Sequence, residues 1–222
     1  MTECIFITLP TYNRGEKCTK VIQNILDQSL PNWHLLIVND GSETHHGQII
    51  QDFLHSISDN RVEYHENETN LKFPSSINVG IKEFLQSDCK YFTWISDDNI
   101  YYPNYLQNLY DLKADFAHSA WQVNGHLRQT EYKNYYEMRH KFKGLASFMW
   151  SRQAIDTIGL YNTEYQLASD LEYLFRTYSQ VSDIKYSDRS GMNYIIHQEA
   201  DSVRYSQQLA KEDQKLRATF PP

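Results

Sequence analysis

At 222 residues, with 41% hydrophobic and 22% charged residues, the chain falls in the range of one large globular domain with a sizeable core. A formal net charge of −7 excludes the basic face that a nucleic-acid partner requires. No apolar run approaches the length of a membrane span, and no basic segment followed by a long apolar one marks a secretory leader.

Cys4 to Leu9 reads as a first buried strand, ended by Pro10, with Thr11 to Gly15 as a loop. Thr19 to Gln28 carries Val21, Ile22, Ile25 and Leu26 at helical spacing, and Leu30-Pro31-Asn32 breaks that helix. Trp33 to Val38 is a second strand, ending in Asn39-Asp40-Gly41-Ser42. A helix over Ile49 to Ile57, an alternating strand over Arg61 to His65 and a helix over Ser75 to Leu85 follow. Tyr91 to Ile95 is a fourth strand, and Pro103 to Leu112 a helix with proline at its start. Strands alternating with helices predict an α/β fold with a mostly parallel central sheet flanked by helices and joined by right-handed crossovers.

The second half is less regular. Phe116 to Val123 and Ala146 to Trp150 read as strands, and Asn124 to Lys143 as a polar, aromatic stretch without clear period. A short helix is expected over Arg152 to Thr157 and a longer one over Ala168 to Tyr178, with short strands over Ile184 to Tyr186 and Met192 to Ile196. An amphipathic helix over Gln207 to Ala218 precedes Pro221-Pro222, either a natural end or a linker to a further domain. Cys4, Cys18 and Cys89 show no metal-type spacing and leave an odd thiol, which favours a reducing compartment over a disulfide framework. The expected location is cytoplasmic. The tyrosine- and asparagine-rich, glycine-poor composition suits an AT-rich bacterium or a large DNA virus, so a virus-encoded protein acting in a host cytoplasm fits too.

The chemistry concentrates at strand ends. Tyr91 to Ile95 stops at Ser96-Asp97-Asp98-Asn99, and ligands of open α/β sheets bind outside the carboxyl ends of such strands. Acids placed there hold hard divalent cations through oxygen, and such a cation would hold phosphates. A polar turn in which Asp98 or Asn99 caps the next helix is the competing reading. Pro10-Thr11-Tyr12-Asn13-Arg14, Asn39-Asp40-Gly41-Ser42, Asn78-Val79-Gly80, Asp170-Leu171-Glu172 and His197 complete the set, in that order along the chain.

Together these motifs resemble the family 2 glycosyltransferases, inverting enzymes of the GT-A fold, from about Cys4 to about Arg204. The resemblance implies one GT-A domain over 1–222. Residues 1–100 would form the nucleotide-sugar half, 101–205 the acceptor and catalytic half, and 206–222 a terminal helix. It implies that Tyr12 stacks on the base, that Thr11 and Asn13 shape that loop, and that Asp40 accepts the N3–H of uracil or thymine. Asn78 matches the end of the family's Ala-Arg-Asn-x-Gly segment, with Ser76 and Ile77 where Ala and Arg stand, so Lys72 is a candidate substitute for the missing arginine. In the metal motif Ser96 stands where the first acid is expected. That leaves Asp98 and His197 as metal ligands, Asp97 on the ribose or a metal-bound water, and Arg204 near the diphosphate. The implied cofactor is Mn²⁺ or Mg²⁺, with histidine favouring Mn²⁺.

Asp170 is the implied catalytic base, with Glu172 as the alternative and Arg176 as a partner of these acids. The implied reaction moves a sugar from a UDP-sugar, or a dTDP-sugar, to a hydroxyl of a glycan or glycoprotein acceptor. Gly144 to Ser147 would floor the acceptor site, and Trp121, Tyr135, Tyr136 and Trp150 are candidates for stacking on sugar rings. A nucleotidyltransferase is an alternative, although the first loop lacks a run of glycines. A non-catalytic nucleotide- or carbohydrate-binding module is the other, supported by the missing first acid.

Overall fold

The computed structural model describes residues 3–198 and 204–220. In chain order the first half comprises β1 (Ile5–Thr11), α1 (Gly15–Leu26), β2 (Trp33–Asn39), α2 (Thr44–Ile57), β3 (Val62–Glu66), α3 (Phe73–Gln86) and β4 (Tyr91–Trp94). The middle comprises β5 (Ile100–Tyr101), α4 (Tyr105–Tyr110), β6 (Phe116–Ser119), β7 (Trp121–Val123), β8 (His126–Arg128) and α5 (Tyr135–Lys141). The last part comprises β9 (Phe148–Ser151), α6 (Arg152–Ile158), α7 (Ser169–Gln180), β10 (Ile184–Ser187), β11 (Met192–Tyr194) and α8 (Ser206–Thr219).

The main sheet has seven strands in the order β10-β6-β9-β4-β1-β2-β3, and a second sheet has four in the order β5-β11-β7-β8. All main-sheet pairings are parallel except those of β9, which runs antiparallel to both β4 and β6. The sheet is therefore mixed: β4-β1-β2-β3 form the parallel block expected from the first four strands, and β6 and β10 add a second parallel pair. Side chains alternate across a strand, so β1 serves two cores. Ile5, Ile7 and Leu9 pack with α1, α2 and α4, whereas Phe6 packs on the other face with α3, α6, α7 and α8. Burial on both faces is why these strands read as continuous apolar runs.

Several expected boundaries shift. Pro10 does not end β1, because the strand continues to Thr11 opposite Asn39. The amide of Ile5 points to Asn32 on the β2 side, so alternation turns the nitrogen of Pro10 toward β4, whose ladder with β1 stops at Trp94. A missing N–H is tolerated there. The run Phe116 to Val123 is two strands, broken at Ala120, that join different sheets. The stretch read as irregular holds a hairpin and a helix: Asn124 and Gly125 both take positive φ (48° and 82°) as the two-residue turn between β7 and β8. Asn134 caps α5 by accepting from the amide of Glu137.

Gly80 explains part of its motif without invoking a ligand. A Cβ there would lie 1.9 Å from Thr8 Oγ1, so only glycine lets α3 cross β1 this closely. The terminal helix is not detached, since Leu216 of α8 is fully buried in the same core as α7. Among the described residues, no helix is long and apolar enough to cross a membrane.

The cysteine reading is corrected. Cys4 and Cys89, separated by 85 residues, meet at the start of β1 and β4 and form a disulfide, leaving Cys18 as the buried free thiol. Parallel pairing of distant strands creates this proximity, which spacing along the chain does not reveal. Closing a loop of that length removes entropy from the unfolded chain worth about 4.5 kcal/mol. Thiol counting in denaturant without reductant is expected to give one reactive group, rising to three with reductant. Cys89→Ser is expected to lower unfolding stability by several kcal/mol, on the order of that entropic figure. Three thiols without reductant would remove the disulfide.

Candidate active site

The parallel strands β1, β2 and β4 end on one edge of the sheet, and their loops meet there. The first two loops are tied backbone to side chain. The Asp40 amide donates to the Thr11 carbonyl (2.9 Å), the Asn13 amide to Ser42 Oγ (2.9 Å), and the Glu43 amide to Asn13 Oδ1 (2.8 Å). Asn13 is held in the left-handed region, φ 54°, a conformation asparagine tolerates. This rigid pair of loops leaves the Tyr12 ring 47% exposed at the edge.

Asp40 is buried, and its carboxylate organises the loop after β3. Oδ1 accepts from Asn67 Nδ2 (2.8 Å) and the Leu71 amide (2.9 Å), and Oδ2 accepts from the Lys72 amide (2.8 Å). Two donors on Oδ1 and one on Oδ2 leave a further acceptor position on Oδ2. Asn78 is spent internally, donating to the Tyr161 carbonyl (3.0 Å) and accepting from the Tyr161 amide (2.7 Å). The structure thus gives this expected donor contact the task of clamping α3 to the loop after α6.

The acids after β4 form a polar cluster with Thr11, Arg14 and His197. Asp97, 8% exposed, accepts from Thr11 Oγ1 (2.7 Å) and from Arg14 Nη1 (3.5 Å). Asp98 Oδ2 accepts from Arg14 Nη1 at 2.5 Å and lies 2.9 Å from His197 Nε2. His197 reaches Asp98 across 99 residues because its segment is pinned twice. Asn99 Oδ1 accepts from the Ile195 amide and Asn124 Oδ1 from the Ile196 amide, each at 3.0 Å. Arg14 and Asn124 carried no role in the sequence reading, and Asn99 figured there only as a possible helix cap, not as an anchor for the His197 segment. For Arg14 the signal was its place in the loop facing the acids; the two asparagines gave none.

Among the described residues no group of three or more His, Cys, Asp or Glu side chains converges as a full metal cage would. The pair that does converge fits a divalent cation. Two ligand atoms around an ion with bonds of about 2.1 Å lie about 3 Å apart, the separation seen between Asp98 Oδ2 and His197 Nε2. His197 Nδ1 is buried with no partner among the described residues. Arg14 supplies the positive charge at that carboxylate oxygen in this state.

Asp170 lies in the first turn of α7, where Oδ1 accepts from the Leu171 amide (2.7 Å) and burial raises its pKa. Its charge is felt by the Tyr161 phenol, which accepts from Trp94 Nε1 at the end of β4 (2.8 Å). Glu172, the alternative base, is held by both terminal oxygens on Arg176 (2.8 Å each), and Arg176 also donates to the Ile158 and Leu160 carbonyls. Arg204 is exposed with its guanidinium over the Tyr205 ring, and the segment 201–203 expected to close over the diphosphate lies outside the described residues. Trp121 and Trp150 are core residues, 4% and 1% exposed, and so are not sugar platforms; Ser147 of the expected acceptor floor is also buried.

Burial pushes the Asp97 carboxyl up to about 6, against the pull of Arg14 and of the Thr11 hydroxyl, with the Asp98 charge adding to the rise. A carboxyl raised in the fold binds its proton more tightly folded than unfolded. Its contribution to stability is therefore complete below the ordinary value of 3.8 and is lost as pH climbs to about 6. In EDTA, the stability of Asp97→Asn relative to the unmodified protein is expected to rise between about pH 4 and 6 and then level. The gain is up to about 3 kcal/mol, read from urea midpoints; a pH-independent difference would contradict this electrostatic account.

Comparison with known proteins identifies the family and the fold. Residues 6–202 match the family model described as Glycosyl transferase family 2. A putative colanic acid biosynthesis glycosyl transferase of Escherichia coli is 26% identical over 78% of the chain and 65% of its own length. The Streptococcus pneumoniae glycosyltransferase GlyG is 30% identical over 50% of the chain and 35% of its own length. The chain thus spans about two thirds or less of these curated relatives. Among solved structures, S. aureus TarS 1-349 in complex with UDP superposes with a TM-score of 0.70 at 16% identity, covering 97% of this chain and 64% of that one. A mannosyltransferase of Pyrobaculum calidifontis in complex with GDP-Man and Mn²⁺ gives 0.72 at 10%, covering 98% and 65%. The fold is GT-A, and the chain belongs to glycosyl transferase family 2.

Proposed function

We propose that this glycosyltransferase is inverting and metal-dependent, and that it moves a sugar from a UDP-sugar to a hydroxyl of a glycan or glycoprotein. The observation that carries the reading is the convergence of Asp98 and His197, 2.9 Å apart, beside the ends of β1, β2 and β4. The UDP and Mn²⁺ bound to structural neighbours support it, although one neighbour holds a GDP-sugar, so the fold leaves the base open. Asp40 favours uracil: its remaining acceptor position on Oδ2 suits the N3–H, with the Tyr12 ring against the base. Thr11 and Asn13 fix the loop that presents that ring, and Asp97 faces the ribose or a metal-bound water.

Asp98 and His197 would hold the cation, whose chemistry is to offset charge developing on the leaving diphosphate. Arg14, now on Asp98, is placed to turn toward that diphosphate when the carboxylate is taken up. Inversion is a single displacement. The acceptor oxygen forms its bond to the anomeric carbon as the bond to the diphosphate oxygen breaks, and Asp170 takes the acceptor's proton. Burial that raises the Asp170 pKa makes it a better base near neutral pH.

UDP with Mn²⁺ is expected to raise the melting temperature, and UDP with EDTA to do so far less. At a hundredfold excess over Kd the gain is about 2.7 kcal/mol, and Asp98→Ala is expected to abolish it. A shift with GDP alone would move the donor away from UDP. Asp170→Asn is expected to leave that UDP shift intact while lowering UDP release from UDP-sugars by about 10²- to 10⁴-fold. Unchanged turnover would remove Asp170 as the base.

A further inference from the structure

The turn that presents Asp170 answers its Leu171 amide with Asp170 Oδ1 but has no side-chain cap at its start. The N-cap of α7 is Ala168, which has no side chain able to accept from the first amides of the helix. The neighbouring amides are instead answered from α8. Glu212 Oε2 accepts from Leu167 N–H (2.8 Å) and Ala168 N–H (3.0 Å), at residues immediately before the turn that carries Asp170. Ala168 is 0% exposed and Leu167 half-buried, so water answers the Ala168 amide poorly once that acceptor is gone. A carboxylate also suits the positive end of the helix dipole.

Glu212 is itself held firmly. Leu216, one turn on, is fully buried, Phe220 packs edge-on against Phe175 of α7 (5.4 Å), and Lys215 lies over Tyr165 (5.1 Å). Arg139 of α5 donates to the Arg217 carbonyl and Arg217 to the Arg139 carbonyl, so α8 is joined to both α5 and α7.

We propose that Glu212 is a positioning residue for Asp170: its bonds to Leu167 and Ala168 set the height and direction of the turn from which the Asp170 carboxyl reaches the reacting hydroxyl. The proposal rests on the reading of Asp170 as the base. It makes the terminal helix part of the catalytic apparatus through Glu212.

The test uses the whole chain and four proteins: unmodified, Glu212→Ala, Glu212→Gln and Asp170→Asn. Amide exchange is followed at Leu167, Ala168 and Leu171, and the Asp170 carboxyl is titrated by carbon NMR, assigned by its loss in Asp170→Asn. Of the other titratable groups at this turn, Glu172 is locked on Arg176 and the Tyr161 phenol on Trp94, and all variants keep both. Glu212→Ala is expected to speed exchange at the three amides at least about tenfold while α1 and α3 stay unchanged. The Asp170 midpoint is expected to fall by about half a unit or more toward the ordinary value. Glu212→Gln keeps an acceptor oxygen and loses the charge, and is expected to restore both readouts. Unchanged exchange and titration in Glu212→Ala would overturn the proposal. So would Glu212→Gln tracking Glu212→Ala, which would mean charge at a distance rather than placement. Full turnover by Asp170→Asn would sink the base assignment alone and leave the amide result to stand or fall separately.

Discussion

A carboxylate nearly withdrawn from water must be held by donors on several sides, and the architecture of this site follows from holding Asp97. Thr11 answers it from the end of β1 and Arg14 from the loop that leads into α1. Those two residues are adjacent to Asp97 only because β1 pairs directly with β4 in parallel, which places both carboxyl ends on one edge. Cys18, beneath, is fully buried and touched by the same charge and by the Thr11 hydroxyl. Burial is resisted by the acid, so the donors and the strand order are mutually required.

The same logic separates residues that hold the scaffold from those left for chemistry. Asn78 and Glu172 look alike in sequence to Asp98 and Asp170, each a polar residue in a motif. In space both are consumed, Asn78 on the Tyr161 backbone and Glu172 on Arg176. Asp98 is shared instead between Arg14 and His197, two groups whose hold on it is electrostatic and exchangeable. A group with exchangeable partners can accept a ligand without dismantling the fold.

Much of the first half was legible because a doubly covered parallel strand leaves an apolar run that halts at polar residues, as at Trp33 to Asn39 and Tyr91 to Trp94. The helices of that half were placed to within a few residues by the spacing of Val21, Ile22 and Ile25 and its like. The second half was harder for physical reasons. Strand β9 runs antiparallel between β4 and β6, a choice made by neighbours and not by its own sequence. Ala120 lies inside an apolar stretch, and nothing local marks where β6 ends and a second sheet begins. The Asn124-Gly125 turn was present as a known hairpin signal but is flanked by short, polar strands. The site was legible as far as its acids and His197. Arg14 was visible as a residue but not as a contact, and the Cys4–Cys89 and Glu212 contacts depend on folding that joins distant segments.

His197 follows β11 and Asp98 precedes β5, the two antiparallel neighbours in the small sheet, and Asp98 also lies in the turn that leaves β4 of the large one. Their contact, steadied by Asn99 and Asn124, therefore sits at the seam where the chain passes from the large sheet into the small one. Whatever fills that seam acts as mortar. Binding chemistry and mechanical cohesion become one property, and the Asn124 turn acquires a say in affinity by setting how squarely the two segments meet.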